Sequence, residues 1–164
     1  MYSVAVPTLV QILGSLVTVI DKAAAHAAAR KIDPAVLMGY RLAPDMFAFS
    51  RQIQIATDQA KGCVARLAGV AVPSYPDTET NLEELKARVV RTIDFIQSFT
   101  ADQIDGSEER AISFKAGAAE MNFTGERYVA HWVFPNFLFH ATTAYDILRH
   151  AGVELGKRDF IGKF

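Results

Sequence analysis

Cysteine, tryptophan and any sustained block of like charge are what this 164-residue chain has least of, with one Cys and one Trp in all. A lone Cys63 cannot close an internal disulfide, so no covalent staple is available and a reducing setting, the cytoplasm, is expected. The 17 basic and 18 acidic residues give a formal net charge of -1 and are scattered along the chain. The basic face that would grip a phosphate backbone is therefore missing, and nucleic acid is not an expected partner. Also missing are the Gly-x-x-x-x-Gly-Lys loop, Gly-x-Gly-x-x-Gly after a strand, the Gly-x-Ser-x-Gly elbow and Cys-x-x-Cys. No serine or aspartate is set beside a histidine in a pattern that implies nucleophilic catalysis, and Lys157-Arg158-Asp159 reads as a solvated turn with a local ion pair.

What is present is apolar: 51% of the residues are hydrophobic, enough to bury a core in one domain spanning residues 1–164. Val4 to Ile20 followed by Ala23-Ala24-Ala25 has the outline of a signal peptide, but no basic residue precedes it and Pro7 sits inside it. Gln11, Ser15 and Thr18 interrupt it at helical spacing, leaving it short of the roughly 20 clean apolar residues that cross a bilayer, so no membrane partner is expected. Leu9, Leu13, Leu16, Val17, Ile20, Ala24 and Ala27 instead form the core-facing stripe of a first long helix, with Pro7 near its first turn. Pro34 closes that helix by pushing Asp33 away from helical angles, and a short connection follows.

From about Pro44 a second helix carries Met46, Phe49, Ile53, Ala56, Ala60, Cys63 and Leu67 on one face, with Arg51, Asp58 and Lys61 elsewhere on the wheel. Cys63 thus reads as a small buried hydrophobe rather than a reactive thiol. Gly69 to Asp77 is a loop rich in Gly, Pro and Ser. Thr80-Asn81-Leu82-Glu83 has the spacing of a capping box, and Leu82, Leu85, Val89, Ile93 and Ile96 make a third helix ending near Phe99. Thr100 to Glu109 is a polar loop. Period-two alternation of Ile112, Phe114, Met121 and Phe123 predicts a hairpin turning around Ala116 to Ala119, which must lie on the helices because two strands alone are marginal. The last helical region runs from about Gly125 to His150, with a kink or break at Pro135, and Gly152 stops it. The tail after Gly152 has no helical period and should wrap back over the helices, anchored by Phe160.

Four long amphipathic helices can bury their stripes only against one another, so the expected fold is all-α, a four-helix bundle with a small hairpin inserted between the third and fourth long helices. On the last of these, Asn136, His140 and Thr143 share a stripe with Trp132 nearby. His131 lies nine residues from His140, on the opposite face of an unbroken helix, and His150 lies roughly 15 Å along the axis, so neither joins His140. A polar stripe facing inward needs partners, since an unpaired buried polar group costs on the order of 1–3 kcal/mol.

The run from Pro135 to Val153, PNFLFHATTAYDILRHAGV, followed by Gly156-Lys157-Arg158-Asp159-Phe160, resembles an uncharacterised bacterial family that is a branch of the DinB/YfiT-like metalloenzyme group. The likeness extends in looser form to Asp45 through Leu67. It implies a DinB-like bundle in which a divalent metal is held by one histidine of the second helix and a His-x-x-x-His pair of the last. Here that pair aligns as Asn136-x-x-x-His140, and the second-helix histidine falls at Gln54, with Asp58 one turn later. Two of three imidazoles are replaced by carboxamides, which are weak donors for zinc or nickel, so the resemblance implies a degenerate site with no resident cofactor, a weakly held ion at His140 staying open.

Two functions follow. A degenerate member keeps its pocket and binds a small molecule through Gln54, Asp58, Trp132, Asn136, His140 and Thr143, with His140 available as catalytic acid or base. Alternatively the polar residues form a satisfied buried network in a non-catalytic helical module, a homodimer packing an apolar face across a two-fold axis.

Overall fold

The computed structural model describes residues 1–163. In chain order the elements are α1 (Tyr2–Arg30), α2 (Pro34–Gly39), α3 (Phe49–Ala68), α4 (Leu82–Gln97), α5 (Ala101–Ile104), β1 (Ala111–Ala116), β2 (Ala119–Thr124), α6 (Gly125–Tyr128), a π-helical segment (Val129–Val133), α7 (Phe134–His150) and α8 (Lys157–Ile161). The protein is mostly helical, with one antiparallel hairpin set between α5 and α6.

Helix α1 buries Leu9, Leu13, Leu16, Ile20 and Ala27 of the expected stripe, leaves Val17 and Ala24 half-buried at its margin, and adds Ala5, Ile12, Val19 and Ala23 to a wider apolar face. By length and composition it is the one helix among the described residues able to cross a bilayer, and half of its most apolar window is buried inside the protein. Pro7 falls in the second turn rather than the first, because the helix already begins at Tyr2. It ends at Lys31, whose φ of 56° puts it in the left-handed region. Asp33 is extended, as the following proline demands, but the connection beyond it is helical. Its carboxylate accepts the Ala35 N–H at 2.9 Å and Pro34 opens α2, where a missing N–H costs nothing.

Helix α3 begins at Phe49, five residues later than the Pro44 start, and Met46 stays in the preceding turn. Phe49, Ile53, Ala56, Ala60, Cys63 and Leu67 are completely buried. This helix packs against both α4 and α7, while α1 packs mainly against α4, so apolar stripes from all four long helices meet in one core with Leu85, Val89, Ile96, Phe137 and Leu148.

The start of α4 is displaced by one residue from the Thr80 capping box. Asn81 is the N-cap and its side chain accepts the Glu84 N–H at 2.9 Å, while the Glu84 carboxylate takes the Thr80 N–H at 2.6 Å. A two-residue turn joins β1 to β2 in the predicted place, with Gly117 at φ 60° and Ala116 paired to Ala119. Phe114 and Phe123, diagonal neighbours on one face of the hairpin, stack at 6.2 Å and lean on Tyr128 and Trp132. That aromatic cluster holds the two strands on the helices.

Pro135 does not break the last helical region. The Phe134 N–H bonds back to the Val129 carbonyl, five residues away, so the chain passes through a π turn and Pro135 occupies the second position of α7. Gly152, at φ 91°, ends the helix region. The tail does return over the helices, but as a short helix, α8, which packs on α1 and sets Phe160 edge-on against Tyr145 at 5.8 Å.

Candidate functional site

Helices α3 and α7 share a seam, and one polar pair crosses it. The His140 Nδ1 lies 2.6 Å from Oε1 of Gln52, a fully buried side chain, and the Gln52 Nε2 donates to the Phe47 carbonyl at 3.0 Å. Because that donation commits the amide nitrogen, the oxygen faces the imidazole and can only accept. Nδ1 must therefore carry the proton, which leaves the lone pair on Nε2. His140 is half-buried, and desolvation, reinforced by the positive charge of Arg51, holds its pKa below the ordinary histidine value. The site is thus a neutral imidazole with one open nitrogen.

The remaining residues of the stripe are turned to other uses. Asn136 Nδ2 donates to the Trp132 carbonyl of the π segment at 2.7 Å, and the Thr143 hydroxyl donates to the Phe139 carbonyl at 2.8 Å, each four residues back in the chain. Asn136 thereby supports the backbone beside the π turn. Gln54 does not meet His140: its Nε2 donates to Glu79 at 2.9 Å and its oxygen accepts from Arg51 at 3.3 Å. Two residues on a helix differ by roughly 200° in direction, so Gln52 and Gln54 cannot serve one point. Asp58 accepts from Arg88 at 3.0 Å and pairs with Lys61 at 2.7 Å.

A divalent metal is a poor fit to these donors. Nδ1 of His140 is engaged, the Asn136 and Gln54 amides are committed elsewhere, and among the described residues no three His, Cys, Asp or Glu side chains are grouped to hold an ion. Cys63 offers no alternative, since complete burial pushes its thiol up to about 12.

The largest polar construction, centred on Arg88, has no signature in helical periodicity. Its guanidinium, almost fully buried, donates from Nε to Thr57 at 2.8 Å, from Nη1 to the Pro76 carbonyl and Glu79, and from Nη2 to Asp58, with Asp77 an ion-pair partner at 3.0 Å. These bonds tie the loop after α3 down onto α3 and α4. Tyr75 lies in the same loop under the cations of Lys61, Arg88 and Arg91, the last 4.0 Å from its ring centroid. The charge spacing in the sequence gives no hint, because the loop supplies three of the five partners.

On one flank of this loop lies a cavity of about 260 Å³, bounded by α3, β1 and the π segment and lined by Asp58, Lys61, Arg66, Phe114, Lys115 and Trp132. Asp58 and Trp132, both sequence-predicted contacts, come together here. Gln54, Asn136, His140 and Thr143 are not part of its lining.

A family profile described as "Domain of unknown function (DUF1993)" matches residues 1–161. The solved structures similar to this chain include the 1.83 Å crystal structure of a DinB family member protein from Shewanella denitrificans, 37% identical, with a TM-score of 0.89 over 99% of this chain and 92% of that one. No curated protein matches.

Proposed function

Since the chain belongs to the DUF1993 family, DinB-like in fold but assigned no activity, we propose from the site itself that it binds a small molecule where α3, the hairpin and the π segment meet. In this reading α1, α3, α4 and α7 form a DinB-like four-helix bundle whose metal site is degenerate. The ligand cavity sits beside the former metal position rather than on it. The observation that carries the reading is the shared cleft of Asp58 and Trp132, residues 74 positions apart whose side chains line one half-open hollow at the surface. His140 lies on α7, eight residues beyond Trp132 of the π segment, with Nε2 open, and is the group available for acid or base work on a ligand that reaches it. Asn136, Thr143 and Gln54 support the frame.

A ligand-detected NMR screen of small polar aromatics and aliphatics tests the reading. Saturable binders should compete with one another and be lost in Trp132→Ala, while Thr142→Ala, on the exposed face of α7, retains them. A screen without saturable binders, or one whose binders are indifferent to Trp132→Ala, would favour the satisfied, non-catalytic module instead.

A further inference from the structure

We infer that the ligand of this cavity is a planar carboxylate on an aromatic ring, with Arg66 receiving the carboxylate and Trp132 and Phe114 receiving the ring; the inference rests on the proposed small-molecule site. Charge accounting around the cavity comes first. Lys61 is matched by Asp58 at 2.7 Å, but neither Arg66 nor Lys115 has a carboxylate within ion-pair distance among the described residues. The lining therefore holds two unmatched cations, one of them well ordered.

That order has a visible cause. Arg66 folds back along α3 over Gly62, donates from Nη1 to the Tyr128 hydroxyl at 2.9 Å, and stacks its guanidinium 4.5 Å from the centroid of Phe114. A Cβ on Gly62 would stand 2.5 Å from Nη1, so the absent side chain is what lets the guanidinium occupy this place. With one nitrogen held by a neutral hydroxyl and one face on an aromatic ring, the remaining N–H groups keep the fork that binds a planar carboxylate through two parallel bonds. Desolvation holds the Tyr128 phenol up to about 12, so it stays neutral and does not supply the missing anion.

Shape supplies the rest of the ligand. Phe114 and Trp132 meet at 5.4 Å in an edge arrangement on the cavity wall, a surface suited to a flat ring. A cavity of roughly 150 Å³ takes one benzene ring. The 260 Å³ here has room for the ring and its carboxylate.

Trp132 is the sole tryptophan, so its fluorescence reports on this cavity alone. Benzoate is the probe, with benzamide as the neutral isostere and inorganic phosphate as the anion without a ring. Benzoate should change the emission saturably, and benzamide and phosphate should each bind at least about tenfold more weakly. Arg66→Gln should weaken benzoate about tenfold, and Lys115→Gln, on an exposed strand position, only about twofold. Gly62→Ala guards against a misfolded variant, since alanine favours the helix while displacing the guanidinium, and it should weaken benzoate by less than Arg66→Gln because the shifted guanidinium keeps its charge. Equal affinity for benzamide, or an unchanged affinity in Arg66→Gln, overturns the carboxylate while leaving a small-molecule site standing. Phosphate binding as well as benzoate overturns the ring. If none of the three probes saturates, the inference fails, and the NMR screen alone then decides the proposed site.

Discussion

Gln52 and His140, 88 residues apart in the chain, meet at 2.6 Å, and the glutamine rather than the histidine determines which ring nitrogen is open. Nitrogen-15 NMR of the imidazole should accordingly show Nδ1 protonated and Nε2 bare near neutral pH. Gln52→Glu places a carboxylate at the same atom, favours the imidazolium, and should move the pKa of His140 from below its ordinary value to above it.

Stability should follow the same titration. Burial and Arg51 depress the pKa of His140 in the folded protein, so between that value and the unfolded value of about 6.5 the unfolded chain binds more protons. The contribution is complete above about 6.5 and is lost as pH falls through the folded pKa. Denaturant titrations across this range should give a smaller loss on acidification for His140→Gln than for the parent protein. Equal slopes would show that His140 is not desolvated.

Arg88 is the residue whose removal should cost most outside the apolar core. Arg88→Met leaves three carboxylates without their common partner and frees the loop that carries Tyr75, and a loss of about 3 kcal/mol in urea unfolding is expected. The lower end of the buried-pair range applies because Asp58 and Asp77 are each 38% exposed and regain water.

At the start of α4, Asn81→Ala should lower stability by about 1 kcal/mol, because it removes the acceptor for the Glu84 N–H. Thr80→Ala should cost less, since the bond that Glu84 makes to the Thr80 backbone survives the substitution. The reverse order would return the cap to Thr80.

Protein dialysed against zinc or nickel should retain less than one equivalent by elemental analysis, given that His140 is engaged at Nδ1 and the Asn136 and Gln54 carboxamides are committed elsewhere. Tight stoichiometric retention that His140→Ala abolishes would restore a working metal site.

The long helices were legible because burial repeats at helical period: the stripe of α3 from Phe49 through Leu67 is buried residue for residue. The hairpin was legible from alternation, down to the Ala116 to Ala119 turn. Short helices were not. Helices α2, α5 and α8 span four to six residues, too few to show a period, and depend on caps such as Asp33 and on docking against longer neighbours. The α3 partner of His140 was misplaced by two residues, since the family resemblance points to Gln54 while the direction of the side chain selects Gln52. Arg66 over Gly62 lies one turn apart and passes for ordinary helix composition until Phe114 and Tyr128 arrive from more than 45 residues away.

The π turn at Val129–Val133 makes the last helical region two rods out of phase. One surplus residue advances everything before it by about 100° around the axis relative to α7. Deleting a single residue there would remove the surplus, leave Pro135 inside a continuous helix with its ring against the carbonyl four residues back, and swing Tyr128, with the hairpin attached to it, away from Arg66. The seam between α3 and α7 would be untouched, because Phe137, Ala141 and His140 all lie beyond the turn. A one-codon change would thus separate the scaffold from its pocket, which makes the phase of this helix a switch in sequence space between a protein with the Arg66 cavity and one without it.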